Sequence, residues 1–180
     1  MTANTLRALI VDRDGTLIPD LGYPREPNRV RLMPNAASAL AQLRSAGFLI
    51  VLASNQSGIG RGMLSWRDVL AVHAQLEELL HASGVALDGA YYCPHAPDDG
   101  CVCRKPRPGL LLRAADELGL DLRRSIVVGD KESDIEAGLA THSNTILFQP
   151  IEGVCVTAAT HVARSWVEVA SYAMRIEHDE

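Results

Sequence analysis

Short apolar runs alternate with longer segments of helical periodicity along most of the chain. The runs that predict strands are Ala8 to Val11, Leu49 to Ala53, Ala90 to Tyr92, Ser125 to Val128 and, more weakly, Thr145 to Phe148. Apolar residues between these runs recur at intervals of three and four, as they do in amphipathic helices. Repeated alternation of strands and helices predicts a doubly wound, mostly parallel sheet with helices on both faces. We therefore expect an α/β fold.

Start and stop signals predict where the first helices begin and end. Asn35 is expected to cap the first helix, and Gly47 is expected to end it. Ser65 and Asp68 have the spacing of a capping box at the start of a helix that ends near Gly84. Each predicted helix therefore connects two predicted strands.

The C-terminal half of the chain carries two further helix signals. A helix is predicted after Pro108, with Gly119 as its stop. Trp166, Val169 and Ala173 have the spacing of the inner stripe of a final helix that packs on the body. The acidic ending, residues 177–180, is expected to fray.

Length and charge limit the classes of protein that this chain can form. A chain of 180 residues can bury its own core but is short for two full-sized domains, so we expect one domain over residues 1–180. The net charge of -5 argues against binding to nucleic acid or to an anionic membrane and favours a small soluble partner. The longest apolar stretch, Phe48 to Ala53, is far below membrane-spanning length, and Asp12 comes too early for the apolar region of a signal peptide, so none is expected. We expect a monomeric cytoplasmic protein.

Polar side chains follow three of the predicted strands. Asp12 and Asp14 follow the first strand, Ser54 and Asn55 follow the second, and Asp130 follows the fourth. In an open parallel sheet these residues meet in the crevice at the carboxyl ends of the strands. Chemistry is therefore expected at that edge.

The two acids of the Asp12 segment predict a site for a hard cation. Carboxylates that leave a buried strand are costly without a partner, and Mg²⁺ takes oxygen ligands while keeping positions open for water and phosphate. Asp12, a backbone carbonyl near Asp14, and Asp130 could hold the ion. The alternative is that each acid is a solvated loop residue or a helix cap. A second acidic group, Asp130 with Asp134, opens another helix and weakens that alternative.

Three of the four cysteines lie close to a histidine. Cys93, His95, Cys101 and Cys103 form a closed Cys₃His set, which is typical of structural zinc sites. The alternative is reduced cysteines beside a surface histidine, which two close ligand pairs in so short a span make the weaker interpretation. Cys155 stands apart and is expected to be a buried thiol.

Two cations follow the last cysteine of this set directly. They are Arg104 and Lys105. A zinc ion that fixes Cys103 would also fix where these two side chains project. We therefore expect a zinc-stapled substrate loop.

Four segments of the chain resemble the motifs of haloacid-dehalogenase-type (HAD) phosphatases. They are Asp12 to Leu17, Ser54 to Gly58, Arg104 to Pro106, and Gly129 to Lys131, in that family's order. With the cysteine loop, the chain resembles the D,D-heptose 1,7-bisphosphate phosphatases and the related histidinol-phosphate phosphatases from about residue 8 to residue 147. The resemblance implies a HAD-like Rossmannoid domain with catalytic Mg²⁺ and structural Zn²⁺.

The same resemblance implies a role for each residue of the motifs. Asp12 would be the nucleophile that becomes an aspartyl-phosphate, and Asp14 the general acid and later the general base. Ser54 and Lys105 would hold the transferred phosphate. Asn55 would orient the substrate or the Asp14 side chain.

Substrate contacts are also implied by the resemblance. Lys131 would help to hold the nucleophile and phosphate, and Arg104 would take a distal phosphate or sugar hydroxyls. The remaining expected contacts are Asp20, Leu21, Gly22, Tyr23, Gln56 and Ser57. Many relatives have a histidine before the Gly-Tyr pair, where this chain has Leu21.

The segments between the motifs leave no room for a large cap domain. Residues 19–31 and 58–64 are of loop length, so an open site is expected. The leading hypothesis is hydrolysis of the C7 phosphate of D-glycero-D-manno-heptose 1,7-bisphosphate. The alternatives are histidinol-phosphate hydrolysis, which the basic Arg104, Lys105 and Lys131 disfavour, or a non-catalytic zinc- and phosphate-binding scaffold.

Overall fold

Six parallel strands form one sheet in the computed structural model, which describes residues 6–151, 153 and 156–176. The strands are β1 (Ala8–Val11), β2 (Leu49–Asn55), β3 (Gly89–Cys93), β4 (Ile126–Gly129), β5 (Asn144–Phe148) and β6 (His161–Ala163). Their order across the sheet is β3-β2-β1-β4-β5-β6, and all five neighbouring pairs are parallel. The five predicted strands are confirmed. The direction of winding reverses between β1 and β4, where ligands bind in open α/β sheets.

Helices cover both faces of the sheet. They are α1 (Ala36–Ser45), α2 (Ser57–Gly60), α3 (Trp66–His81), α4 (Gly109–Leu118), α5 (Glu132–Leu139) and α6 (Trp166–Ile176). Side chains of β1 alternate between the two faces, because Leu9 and Val11 belong to the cluster with α1, α3 and α6 whereas Ala8 and Ile10 belong to the cluster with α4 and α5. The predicted doubly wound α/β fold is therefore confirmed.

Two helix starts behave differently. Ser65 and Asp68 form the predicted capping box: the Ser65 main-chain N–H donates to the Asp68 carboxylate at 2.8 Å and the Asp68 N–H donates to the Ser65 hydroxyl at 3.2 Å. Asn35 occupies the N-cap position of α1, as predicted, but it does not act as a side-chain cap. Its φ of 63° is left-handed and its side chain makes no capping bond, since asparagine tolerates this conformation as readily as it caps.

The last helix is anchored deep in the molecule. Trp166, Val169 and Ala173 are buried as their spacing predicts. The indole Nε1–H of Trp166 donates to the main-chain carbonyl of Thr16 at 3.0 Å. The segment after residue 150 thus supports the loop that follows β1. The expectations for Cys155 and for residues 177–180 lie outside the described residues.

The two segments that the sequence predicts as loops near the site contain no inserted domain. Residues 19–31 contain one 3₁₀ turn, Pro27–Arg29, and residues 58–64 contain the end of α2, so these two described segments hold no cap domain. Over the described residues, no helix is both long and apolar enough to cross a membrane. That the whole chain is a single domain stays a prediction.

Candidate active site

The acidic loop after β1 turns back over the end of the sheet. The N–H of Asp12 still donates to the carbonyl of Val128 at 2.9 Å, so the parallel pairing with β4 extends to this residue. Gly15 then adopts a φ of 86°, and a Cβ there would collide with the Asp130 carboxylate. Glycine is needed at this position because the Asp12 loop and the Asp130 loop approach each other so closely.

Lys105 is the cation at the floor of the site. Its side chain is almost fully buried, and its Nζ donates to Asp12 Oδ1 at 2.8 Å and to the Ala53 carbonyl at 2.6 Å. It also forms an ion pair with Asp134. Burial alone would lower the pKa of Lys105, but the carboxylates of Asp12 and Asp134 raise it above its ordinary value. The amine therefore stays charged beside Asp12.

Three carboxylates gather beside Lys105. One oxygen from each of Asp12, Asp130 and Asp134 lies within 4.8 Å of the others. Within the described part of the chain, Asp130 Oδ1 is buried without a hydrogen-bond partner, and burial, with Asp12 next, raises the pKa of Asp130 to about 6. A buried acceptor and a set of oxygen donors fit Mg²⁺. Asp134 completes this group, although it is not among the ligands that the sequence predicts.

The Asp14 carboxylate has different partners from those of Asp12. Arg13 NH2 lies 3.0 Å from Asp14 Oδ2, and Gln56 Nε2 donates to the same oxygen at 2.8 Å. Burial raises the pKa of Asp14; Arg13 opposes this rise, and Asp12 adds to it. An acid with a raised pKa, separate from the metal-type cluster, suits proton transfer.

The polar residues at the end of β2 have partners that the sequence does not predict. Asn55 holds the main chain of Lys105, accepting from its N–H at 3.1 Å and donating to its carbonyl at 3.0 Å. Gln56, not Asn55, contacts Asp14, which corrects that part of the expectation. Gln56 Nε2 also lies 3.1 Å from the Ser54 hydroxyl, which is buried.

A small inner pocket and a larger outer cleft adjoin these groups. The inner pocket, of about 50 Å³, is lined by Asp12, Asp14, Ser54, Asn55, Lys105, Lys131, Ser133 and Asp134. The outer cleft, of about 360 Å³, is lined by Asp14, Asp20, Gly22, Tyr23, Asn55, Gln56, Ser57, Gly58, Arg104, Lys131 and Ser133. The two share Asp14, Asn55, Lys131 and Ser133, so the inner pocket lies at the end of a polar cleft.

Every expected substrate contact lines the inner pocket or the outer cleft, except Leu21. Leu21 instead lines a neighbouring recess of about 140 Å³ with Arg25 and Arg29. Lys131 is more than half exposed; its Nζ lies 3.2 Å from Asp20 Oδ2 and 3.7 Å from Asp130 Oδ2. Lys131 thus connects the loop after β1 to the end of β4, whereas Lys105 is the lysine that contacts Asp12.

The predicted zinc ligands converge after β3. The Cys103 sulfur lies 3.2 Å from that of Cys93, 3.6 Å from that of Cys101 and 3.3 Å from His95 Nδ1. The three cysteines are not in disulfides. A tetrahedral site with Zn–S bonds of about 2.3 Å places sulfur atoms about 3.8 Å apart, close to this spacing. The cluster is compatible with a closed zinc site.

Comparison with known proteins gives consistent results. A HAD-hydrolase-like family model matches residues 102–150. The chain is 40% identical over 167 residues to the D-glycero-β-D-manno-heptose-1,7-bisphosphate 7-phosphatase of Yersinia pestis, covering 89% of this chain and 88% of that protein. The enzyme of the same name from Pasteurella multocida is 43% identical, with 78% and 80% covered.

The chain belongs to the heptose bisphosphate phosphatase family of HAD-like hydrolases. Its fold agrees with a solved member, the D,D-heptose 1,7-bisphosphate phosphatase of B. bronchiseptica complexed with magnesium and phosphate. The TM-score is 0.84 at 30% identity, over 95% of this chain and 99% of that one. The resemblance inferred from the motifs is confirmed.

Two residues of this HAD-like site were missed by sequence reasoning. The sequence predicts no separate role for Arg13 within its motif, and it predicts Asp134 only as a neighbouring acid. A signal existed for Asp134, because the sequence places it close after Asp130, where the fourth predicted strand ends and another helix begins. For Arg13 no comparable signal exists, since its burial depends on residues far away in the sequence.

Proposed function

We propose that this chain is an Mg²⁺-dependent phosphatase that removes the C7 phosphate from D-glycero-β-D-manno-heptose 1,7-bisphosphate. The observation that carries the proposal is the pairing of Asp12 with buried Lys105 beside Asp14, at the inner end of a polar cleft. The names and coverage of the relatives support the substrate.

In the first step Asp12 attacks phosphorus and the bond from phosphorus to the C7 oxygen breaks. Asp14 gives its proton to the departing oxygen, so that the sugar leaves as a neutral alcohol at that position. Burial raises the pKa of Asp14, and this direction supports the role because an acid that holds its proton more tightly is better able to carry it to the departing oxygen. Lys105 stabilises the charge on the oxygens around phosphorus, with the Ser54 hydroxyl as a second donor.

In the second step water attacks the phosphorus of the aspartyl-phosphate. Asp14, now a carboxylate, takes a proton from the water, and the Asp12 carboxylate is released with inorganic phosphate. Gln56 keeps Asp14 in place in both steps through its bond of 2.8 Å. One carboxylate thus forms the covalent bond and the other moves protons.

The acidic cluster is the proposed site of Mg²⁺. Asp12, Asp130 and Asp134, with the main-chain carbonyl of Asp14, would hold the ion. When bound, Mg²⁺ supplies positive charge that offsets the clustered carboxylates and the phosphate. Asp134 already pairs with Lys105, so its contribution is to the charge of the site as much as to ligation.

Zn²⁺ is proposed as a structural ion held by Cys93, His95, Cys101 and Cys103. Four protein ligands leave no open position, which supports structure over catalysis. The ion would fix the start of the segment that carries Arg104 and Lys105. Asn55 then holds that segment from the other side through the Lys105 main chain.

The cleft is suited to a substrate with a second phosphate. Arg104 and Lys131 both line it; Arg104 lies beyond the inner pocket where the reacting phosphate would bind, and Lys131 lines both cavities. Asp20 and Tyr23 offer polar groups for sugar hydroxyls. The net charge of -5 supports a small metabolite over nucleic acid as the partner, and we further propose a cytoplasmic monomer, for which sedimentation and cell fractionation are the tests.

The decisive assay is phosphate release with Mg²⁺ from a panel of phosphate esters. The panel contains both anomers of the heptose bisphosphate, fructose 1,6-bisphosphate and histidinol phosphate. The β anomer is expected to give the highest kcat/KM, with the 1-phosphate as product. Preference for histidinol phosphate, or no turnover of any ester, would overturn the substrate assignment.

The variant that tests the covalent mechanism is Asp12→Asn. The variant keeps the shape of the side chain and removes the nucleophilic oxygen, so turnover should vanish while the circular dichroism spectrum stays that of the parent. Full turnover by the purified variant would disprove an aspartyl-phosphate on Asp12.

A further inference from the structure

Arg13 is a charged side chain with no exposed surface. It lies between the two acids of the loop after β1, and its relative exposure is 0%. Burying a guanidinium is costly unless it is paired. Within the described residues, its NH1 group is buried without a hydrogen-bond partner, a cost that an apolar side chain would avoid. Stability alone therefore does not explain an arginine at this position.

The partners of Arg13 belong to the proton-transfer side of the site. Its Nε lies 3.3 Å and 3.2 Å from the two oxygens of Asp14, and its NH2 lies 3.0 Å from Asp14 Oδ2. NH2 also donates to Gln56 Oε1 at 3.0 Å, and Gln56 Nε2 donates to Asp14 Oδ2 at 2.8 Å. Arg13, Gln56 and Asp14 are therefore hydrogen-bonded to one another in a closed triangle.

The triangle distinguishes the two oxygens of Asp14. Oδ2 receives Gln56 Nε2 at 2.8 Å, Arg13 NH2 at 3.0 Å and Arg13 Nε at 3.2 Å, whereas among the described residues the only donor to Oδ1 is Arg13 Nε at 3.3 Å. Oδ2 is occupied in this arrangement, so Oδ1 is the oxygen with capacity to carry a transferable proton.

Tyr92 lies beside Arg13 and is itself held by residues of α3. The Arg13 Cζ lies 5.9 Å from the centre of the Tyr92 ring, and the Tyr92 hydroxyl lies 2.8 Å from His73 Nδ1. His73 is in turn 3.5 Å from Glu77 on α3. Because Tyr92 belongs to β3 and His73 belongs to α3, both elements limit the movement of the guanidinium away from Asp14.

We propose that Arg13 is a positioning residue, which together with Gln56 fixes Asp14 so that Oδ1 meets the departing oxygen of the substrate. This inference rests on the proposed function, since it needs Asp14 to act as the general acid. Its consequence is selective. Loss of Arg13 should harm the cleavage of esters whose leaving group needs a proton, and should spare those whose leaving group does not.

The test compares two substrates in Arg13→Met. The heptose bisphosphate releases an alkoxide that must be protonated, whereas acetyl phosphate, small enough for the inner pocket, releases acetate without a proton. We expect kcat/KM for the sugar to fall by about 100-fold and that for acetyl phosphate by less than about 10-fold. kcat/KM is the appropriate constant because it covers the steps up to cleavage of the ester bond.

Two further variants complete the design. Arg113→Met removes an exposed arginine that pairs with Glu117 on α4, and it should change neither substrate. Gln56→Leu removes the other donor to Asp14 Oδ2 and should give the same selective loss, so it decides the matter if Arg13→Met does not fold. Equal losses on both substrates, or no loss on the sugar, would overturn the inference. A wild-type protein that hydrolyses neither ester would instead overturn the proposed function.

Discussion

Asn55 pairs with the main chain of Lys105 at two points. Its Oδ1 accepts from the Lys105 N–H at 3.1 Å, and its Nδ2 donates to the Lys105 carbonyl at 3.0 Å. This pairing joins the end of β2 to the loop after the zinc-type cluster. The Lys105 amine reaches Asp12 from that fixed base, so the Asn55 amide determines where the cation beside Asp12 lies.

Asn55→Ala is therefore expected to reduce activity by displacing Lys105. Because small displacements of a catalytic group are costly, we expect kcat to fall by about 10- to 100-fold. The lost hydrogen bonds should also lower the free energy of unfolding by about 1 to 2 kcal/mol. Asn28→Ala, in the turn Pro27–Arg29, is the matched control and should change neither. Steady-state kinetics and urea unfolding give both values, and an unchanged kcat would refute the positioning role.

Removal of the Lys105 amine should be more damaging. Lys105→Met leaves the buried carboxylates of Asp12 and Asp134 without their cation, and breaking a buried pair in this way costs about 3 to 5 kcal/mol. Loss of one donor to the transferred group should also lower kcat by at least about 100-fold.

The stability control for this prediction is Lys131→Met. Lys131 is more than half exposed, and an exposed pair contributes about 1 kcal/mol or less. Its loss should therefore barely change urea unfolding. If both variants lost the same stability, the assignment of Lys105 as the buried cation would be wrong.

The sheet could be predicted from sequence because its central strands are buried on both faces. β1 consists of four apolar residues, and such runs are visible without structural information. β6 escaped prediction since His161–Ala163 has only three residues and begins with a polar one. Its position comes from pairing with β5, which is tertiary information.

The site was predictable to the extent that its residues follow strands. Asp12, Ser54 and Asp130 meet because parallel strands end at one edge of the sheet, which the order of elements already implies. The partners of each side chain were not predictable. Arg13 is a polar residue in a polar motif, and only the three-dimensional arrangement of Gln56 and Tyr92 makes it buried.

Loss of the proposed zinc ion should act on catalysis indirectly. Cys103→Ser removes one of four ligands immediately before Arg104, so we expect loss of bound zinc, a lower melting temperature and a reduced kcat. Chelation of the wild-type protein should have the same effects, and added Zn²⁺ should reverse them in the wild type but not in Cys103→Ser. Metal analysis, thermal unfolding and kinetics test this together. Unchanged stability after verified metal removal would rule out a structural ion.

Magnesium binding should depend on pH through Asp130. Its pKa is raised to about 6 from an ordinary 3.8, so the metal-free folded protein binds this proton more tightly than the unfolded chain does. The contribution of this group to stability is therefore fully present below the ordinary value and falls as pH rises to about 6. We expect Mg²⁺ to raise the melting temperature little at pH 5 and clearly at pH 7.

Asp130→Asn provides the comparison for this pH dependence. Without metal, the variant should gain stability relative to wild type as pH rises across the same window, and it should lose the response to Mg²⁺. Thermal unfolding at several pH values, with and without Mg²⁺, measures both effects. A wild-type response to Mg²⁺ that is equal at pH 5 and pH 7 would contradict the role of Asp130.

The C-terminal helix should stabilise the catalytic loop through Trp166. The indole N–H donates to the Thr16 carbonyl, and the side chain is completely buried. Trp166→Phe removes this bond and leaves a cavity, so we expect a loss of about 2 to 4 kcal/mol in the free energy of unfolding. Trp66→Phe is the matched control, since Trp66 is 45% exposed at the start of α3 and its replacement should cost about 0.5 kcal/mol or less. Because Thr16 follows the Asp12 to Gly15 turn directly, hydrogen exchange should accelerate in that turn in Trp166→Phe alone, and equal exchange in the two variants would show that the helix does not support the site.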